Sequence, residues 1–246
     1  MIEAWLARTA AQLWAAIGEL PTPPRDLAPL VSRALPLSVV TLPDLDLTQI
    51  EHWFRQRNVP YRFLCRNRAL CGCVVAARGH GLLFVDANDP AAEQRFTVAH
   101  EIAHFLLDYL EPRQAAIAAL GDSIRPVLDG ERPPTTEERI HAMLGQVRLG
   151  IYYDLMPRAA AGGIDQGYIM RAEDRADWLA LELLAPAEAV LAAAAPLPST
   201  TPFECSRRLF TVLCDQFGLP PAIARDYSAM LARQIARFSM AEWFGM

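Results

Sequence analysis

Two histidines stand four residues apart in RFTVAHEIAHFLLDYL, residues 95–110, with a glutamate directly after the first: His100-Glu101-Ile102-Ala103-His104. On a helix, positions i and i+4 lie about one turn apart on the same face, so two imidazoles so spaced converge on one ion. A divalent metal there lowers the pKa of water from 15.7 towards about 7 and polarises a carbonyl under attack, and a carboxylate one residue on is placed to accept the proton. The spacing therefore predicts metal-assisted hydrolysis, with Glu101 as general base. The setting is apolar: Phe96, Val98, Ile102, Ala103, Phe105, Leu106 and Leu107 surround the polar groups, and buried ionisable groups are costly unless paired or metal-bound. The competing reading is a pair of satisfied core histidines.

A catalytic zinc takes three protein ligands and keeps one position open. The extended pattern with a third histidine six residues after His104 is excluded, because Leu107 and Leu110 stand where it needs Gly and His. The best third ligand is Glu173, in EDRADWLALELL, with small Ala176 and Ala180 letting the two helices approach closely. Asp177, one turn on, is placed to hydrogen-bond the free ring nitrogen of a ligand histidine and fix its tautomer. The alternative is an ordinary acidic first turn offsetting the helix macrodipole. His52, His80 and His141 remain rivals for the third position. Two imidazoles and a carboxylate in an open site favour zinc over other divalent ions.

The elements that position these residues are legible in part. Residues 2–20 form an amphipathic helix with Ile2, Trp5, Leu6, Leu13 and Ile17 on one side, stopped by PTPP at 21–24. LSVVTL at 37–42 has strand composition, LTQIEHWFRQRN at 47–58 is a short helix, and YRFLC, CGCVVAA and GLLFVDA are three strand candidates. RGHG at 78–81 is a hairpin turn, and NDP at 88–90 starts the histidine-bearing helix, which is expected to end at Pro112. Thr135-x-x-Glu138 is a capping box opening a helix over 136–146, and 159–167 reads as a loop. A helix over 171–186 carries Glu173, AVLAAAAPLPSTTP is a linker-like break, and two more helices hinge at FGLPP.

Composition narrows the class. The 246 residues are 52% hydrophobic with a formal charge of -5, enough apolar content for a substantial core and too acidic for phosphate-driven nucleic-acid binding. No apolar run approaches the ~20 residues that cross a bilayer, and the acid at Glu3 is unlike a secretory leader. A cytoplasmic location is expected. Five scattered cysteines do not suggest a disulfide framework. Cys71 and Cys73 on one strand face would make a soft metal clamp, but no fourth ligand accompanies Cys65, and small buried side chains are the preferred reading.

RFTVAHEIAHFLLD followed by E-x-x-A-D-x-L-A-x-E-L-L-A-P at 173–186 resembles the ImmA/IrrE-type zinc metallopeptidases. GLLFVDANDPAAEQRF is similar to that family's strand and connector into the metal helix, and LCDQFGLPPAIARDYSAML to its closing helical segment. The resemblance implies an α+β, zincin-like core with a small twisted sheet, in which His100, His104 and Glu173 hold zinc, Glu101 is the base, and a C-terminal helical segment follows. It divides the chain into an N-terminal helix and connector at 1–36, a metallopeptidase domain at 37–198, and helices at 199–246. It also implies a protein substrate, a helix-turn-helix transcriptional repressor cut in a stress or mobile-element response. Leu179 and Ala185 replace the family's Phe and Met, and the long interval from His104 to Glu173 implies an insertion at about 112–170.

On this reading the substrate lies extended along an edge strand formed by LLFVDA at 82–87. Tyr168 is the candidate oxyanion donor, with Tyr152, Tyr153 and His141 behind it. Three alternatives stay open: a peptidase with an unrelated substrate, a non-catalytic zinc-containing regulator that sequesters a partner, and DNA binding through 203–238. Net acidity weighs against the last.

Overall fold

A computed structural model describes residues 4–158, 175–195 and 201–244. The architecture is α+β, built on a four-stranded sheet ordered β1-β3-β2-β4, with β1 Leu37–Leu42, β2 Leu70–Ala77, β3 His80–Asp86 and β4 Tyr152–Pro157. β1 runs parallel to β3, while β2 is antiparallel to both β3 and β4. Arg78 and Gly79, both at positive φ, join β2 to β3, the two-residue turn whose twist matches a hairpin. β3 is thus an interior strand, not the edge expected of 82–87; among the described residues the edge strands are β1 and β4. Alternation alone does not tell an interior strand from an edge one, because pairing partners come from elsewhere in the chain.

Helix α1, Ala4–Ile17, turns Leu6, Ala10, Leu13, Trp14 and Ile17 into the core. Helix α2, Leu47–Gln56, is capped by the Asp46 side chain, which accepts from the Gln49 amide at 2.7 Å. It covers one sheet face, where Ile50 and Phe54 pack on Cys73, Val75 and Phe84. YRFLC is not a strand: Tyr61 and Phe63 stack edge-on with Phe54 and Tyr153, and the Phe63 amide donates to Glu51 rather than to a ladder.

The opposite face carries helix α3, Ala91–His104. The chain does not stop at Pro112. A π-helical turn, Phe105–Leu110, leads into helix α4, Glu111–Leu120, where Pro112 occupies the first turn. An amide is not needed there, so the helical rod continues. Helix α5, Arg125–Leu128, makes a small cluster with Ala116 and Ile124, and helix α6, Thr136–Leu144, opens on the expected capping box. β4 was not signalled by the sequence pattern, since Asp154 interrupts its apolar face.

Helices α7, Arg175–Leu184, and α8, Ala187–Ala194, follow; α8 occupies part of the expected linker because its alanines favour helix and bury Val190 and Ala194. Helices α9, Pro202–Asp215, and α10, Pro221–Phe244, meet at the buried Phe217 and Leu219, and the Tyr227 hydroxyl donates to the Ala185 carbonyl. α3 lies between the sheet and α7, with α1 and the C-terminal helices in the same core. Among the described residues, no helix is long and apolar enough to cross a membrane.

Cys71 and Cys73 do not share a face. A register shift between Leu70 and Gly72 places Cys71 in the α3-side core and Cys73 in the α2-side core. Burial pushes both thiols up, Cys71 to about 12. They remain protonated packing residues rather than a metal clamp.

Candidate metal centre

α3 is squeezed between the sheet and α7, which leaves His100 and Glu101 fully buried and His104 nearly so. Burial on both sides follows from the sequence: Phe96, Ala99, Ile102 and Ala103 give the helix apolar surface in more than one direction, and Ala176 and Ala180 keep α7 close. The two imidazoles then face each other, with Nε2 atoms 3.1 Å apart. The Nδ1–H of His100 donates to Asp177 on α7 at 2.8 Å, and that of His104 to Asp108 at 2.7 Å. A carboxylate only accepts, so the Nδ1 positions carry the protons and both Nε2 lone pairs point inward. Two Nε2 atoms at that distance can share a proton or a metal ion, and carboxylate partners on Nδ1 are those that metal-bound histidines have.

A third donor joins them from the sheet. Asp154 of β4 brings Oδ2 to 3.7 Å from His104 Nε2, and the ligand atoms of His100, His104 and Asp154 all lie within 4.8 Å of one another. Two ligands at about 2.0–2.1 Å from a tetrahedral zinc are about 3.3–3.4 Å apart; the two histidines lie near that spacing, and the three residues together could hold a metal ion. Among the described residues this is the group able to hold a metal; His52, His80 and His141 are not part of it. Glu173 and Tyr168 lie outside the described residues.

Glu101 is held against strand β2. Both carboxylate oxygens are enclosed and neither makes a hydrogen bond of good geometry. Burial first, and then the Asp154 carboxylate, push its pKa well up; His104 and the Val74 amide pull weakly the other way. Burial disfavours a charged His104, but the hydrogen bond to Asp108 and the charges of Asp154 and Glu101 outweigh it and raise the imidazole to about 10.

The close approach of Glu101 depends on Gly72. A Cβ at that position would come within 2.3 Å of Thr97 Cγ2 and 3.1 Å of Glu101 Oε1. Gly72→Ala is expected to destabilise the protein by about 1–3 kcal/mol through overpacking and to move Glu101. An unchanged melting temperature would show that the strand has more room than this.

Asp108, four residues after His104 on the same helical run, escaped the sequence reading although its spacing was visible. It also accepts, at 3.5 Å, from the hydroxyl of Tyr152. Asp154 carried no local signal. A cleft of about 590 Å³, lined by Asp108, Arg148, Leu149, Tyr152, Tyr153 and Asp154 among others, opens beside the centre.

Residues 61–124 match the IrrE N-terminal-like domain of the Peptidase M78 family. No curated protein and no solved structure gives a significant match. The matched segment is well under half the chain, yet it contains β2, β3, the whole of α3 and the Asp108 turn. Over that segment, which carries the paired histidines and the glutamate on its helix, the chain is similar to the ImmA/IrrE-type metallopeptidases.

Proposed function

We propose that this protein is a zinc-dependent endopeptidase that cuts a helix-turn-helix transcriptional repressor and so relieves repression in a stress or mobile-element response. The observation that carries the hydrolytic part is the inward convergence of the His100 and His104 Nε2 atoms beside the enclosed Glu101 carboxylate. The substrate class comes from the family resemblance, and the same resemblance offers Glu173 as third ligand and Tyr168 as oxyanion donor.

When bound, zinc would supply Lewis acidity towards water and the scissile carbonyl. His100 and His104 would hold it, with Asp177 and Asp108 fixing their tautomers. Glu101 takes the proton of the attacking water and returns it to the leaving amine. Among the described residues β4 is the edge strand beside the histidines, so an extended substrate backbone would pair there, reading main chain first. The cleft of Arg148, Leu149 and Tyr153 would receive side chains.

Asp177 orients His100 without touching the ion. Asp177→Ala is expected to weaken zinc affinity by about 10–100-fold, read by competition with a chromogenic chelator; undiminished affinity would remove it from the site. The function itself is tested by incubating the zinc-loaded protein with a purified repressor encoded beside its gene. Two fragments with the parent protein and none with Glu101→Gln are expected. A repressor that binds but stays whole would favour sequestration, and cleavage only of unfolded proteins would favour an unrelated substrate.

A further inference from the structure

We infer that Arg148 is a specificity-determining residue that selects peptide substrates with a carboxylate side chain, Asp or Glu, close to the scissile bond. This rests on the metallopeptidase reading above and deepens it by naming the class of side chain that the cleft beside the centre takes.

The backbone around Arg148 is tied down on both sides. The Val147 amide donates to the Ala142 carbonyl at 2.9 Å, and the Gly150 amide to the Leu128 carbonyl at 2.9 Å. Val147 packs on the α5 cluster, and Gly150 lies so close to Gly130 that a Cβ there would come within 3.3 Å of Gly150 Cα. The Arg148 side chain is exposed, with its guanidinium over the Tyr152 ring at 6.0 Å from the centroid. A guanidinium so held is positioned by packing and stacking, and its charge is left for something else.

Arg148 lines two clefts. One is the 590 Å³ cleft it shares with Tyr152, Tyr153 and Asp154; the other, of about 280 Å³, it shares with Leu107, Glu111 and Arg175. Asp108, the partner of His104, borders both, so both open beside the centre. The charges around Arg148 act on other groups. Asp108 accepts from His104 and from the Tyr152 hydroxyl, Asp154 lies beside His104, and Arg175 stacks over the Trp5 ring and acts on Glu111. Among the described residues Arg148 has no ion-pair partner. The planar fork of an unpaired arginine matches a carboxylate. β4 begins at Tyr152, just after it in the chain, so a substrate strand paired there carries its side chains past this guanidinium. An acidic side chain gains a charge-assisted bond, and a basic one meets like charge.

The zinc-loaded full-length protein is incubated with a peptide library digested from a whole proteome, beside Arg148→Ala and Arg148→Glu, and the residues flanking each cut are counted. Thermal melting confirms that each variant is folded. The parent is expected to enrich Asp and Glu at one position beside the cut, and Arg148→Ala to lose that enrichment. Arg148→Glu exchanges it for Lys and Arg, a reversal that a merely structural residue would not produce. For one cleaved peptide and its counterpart with Gln in place of Glu, kcat/KM favours the acidic form by about 10-fold, the worth of one hydrogen bond to a charged group. The Glu101→Gln protein, which leaves both peptides whole, binds the acidic one more tightly by the same ratio in fluorescence anisotropy. An identical profile in the parent and Arg148→Glu overturns the inference and leaves the peptidase reading intact. A preference for basic residues that survives Arg148→Ala also overturns it, and assigns the cleft to Asp108 and Asp154. A parent that cuts no peptide defeats the metallopeptidase reading itself, and this inference with it.

Discussion

Replacing Glu101 by Gln is expected to cut peptide hydrolysis by on the order of 10²–10⁴-fold while the bound zinc stays in place. The amide has the same shape, so it fits the space against Gly72 and Thr97 that the close approach of α3 to β2 leaves. It lacks the basic oxygen that, in the proposed mechanism, accepts the proton of the attacking water. His100 and His104 keep their Nδ1 partners, Asp177 and Asp108, because neither bond involves Glu101. Turnover and metal content are measured on the same preparation. Equal turnover would show that another group is the base; parallel loss of zinc would make Glu101 a part of the metal's support rather than of the chemistry.

The largest effect on stability is expected at Arg158, just past β4. Its guanidinium donates to both oxygens of Asp89, to Asp86 Oδ2 at 2.9 Å and to the Leu70 carbonyl at 3.1 Å. Asp86 accepts in addition from the Leu45 and Asn88 amides. Both carboxylates are buried. Removing the cation leaves two uncompensated acids side by side, and breaking a buried pair in this way costs about 3–5 kcal/mol. Arg158→Ala should fall near 3 kcal/mol, because the arginine keeps some contact with water. The loss is read from denaturant unfolding, together with weaker metal retention as the end of β4 loosens. A change under about 0.5 kcal/mol, the usual range for surface substitutions, would mean that water or another residue takes over the role of Arg158.

What the sequence determined by itself is what one helix or one turn can encode. His100, Glu101 and His104 are related by helical geometry alone, so their juxtaposition needed no knowledge of the rest of the chain. The Thr135–Glu138 cap, the Arg78-Gly79 turn and the strands at 37–42 and 81–87 are local in the same sense. Asp177 was legible because a helix of small residues, Ala176 and Ala180, signals close packing, and it meets His100 across 77 positions. Pro112 misled because a proline ends a helix only where its amide is needed, and a π-helical turn placed it where none is.

The rest was decided by pairing between distant segments. Whether 82–87 is an edge or an interior strand depends on β1 and β2 arriving on either side of it. One bulge at Cys71 sends two cysteines into different cores. Asp154 reads locally as a polar interruption between Tyr153 and Leu155. It comes beside the two histidines only when β4 docks on β2 in one register, since a slip of one residue would turn it to the opposite face of the sheet.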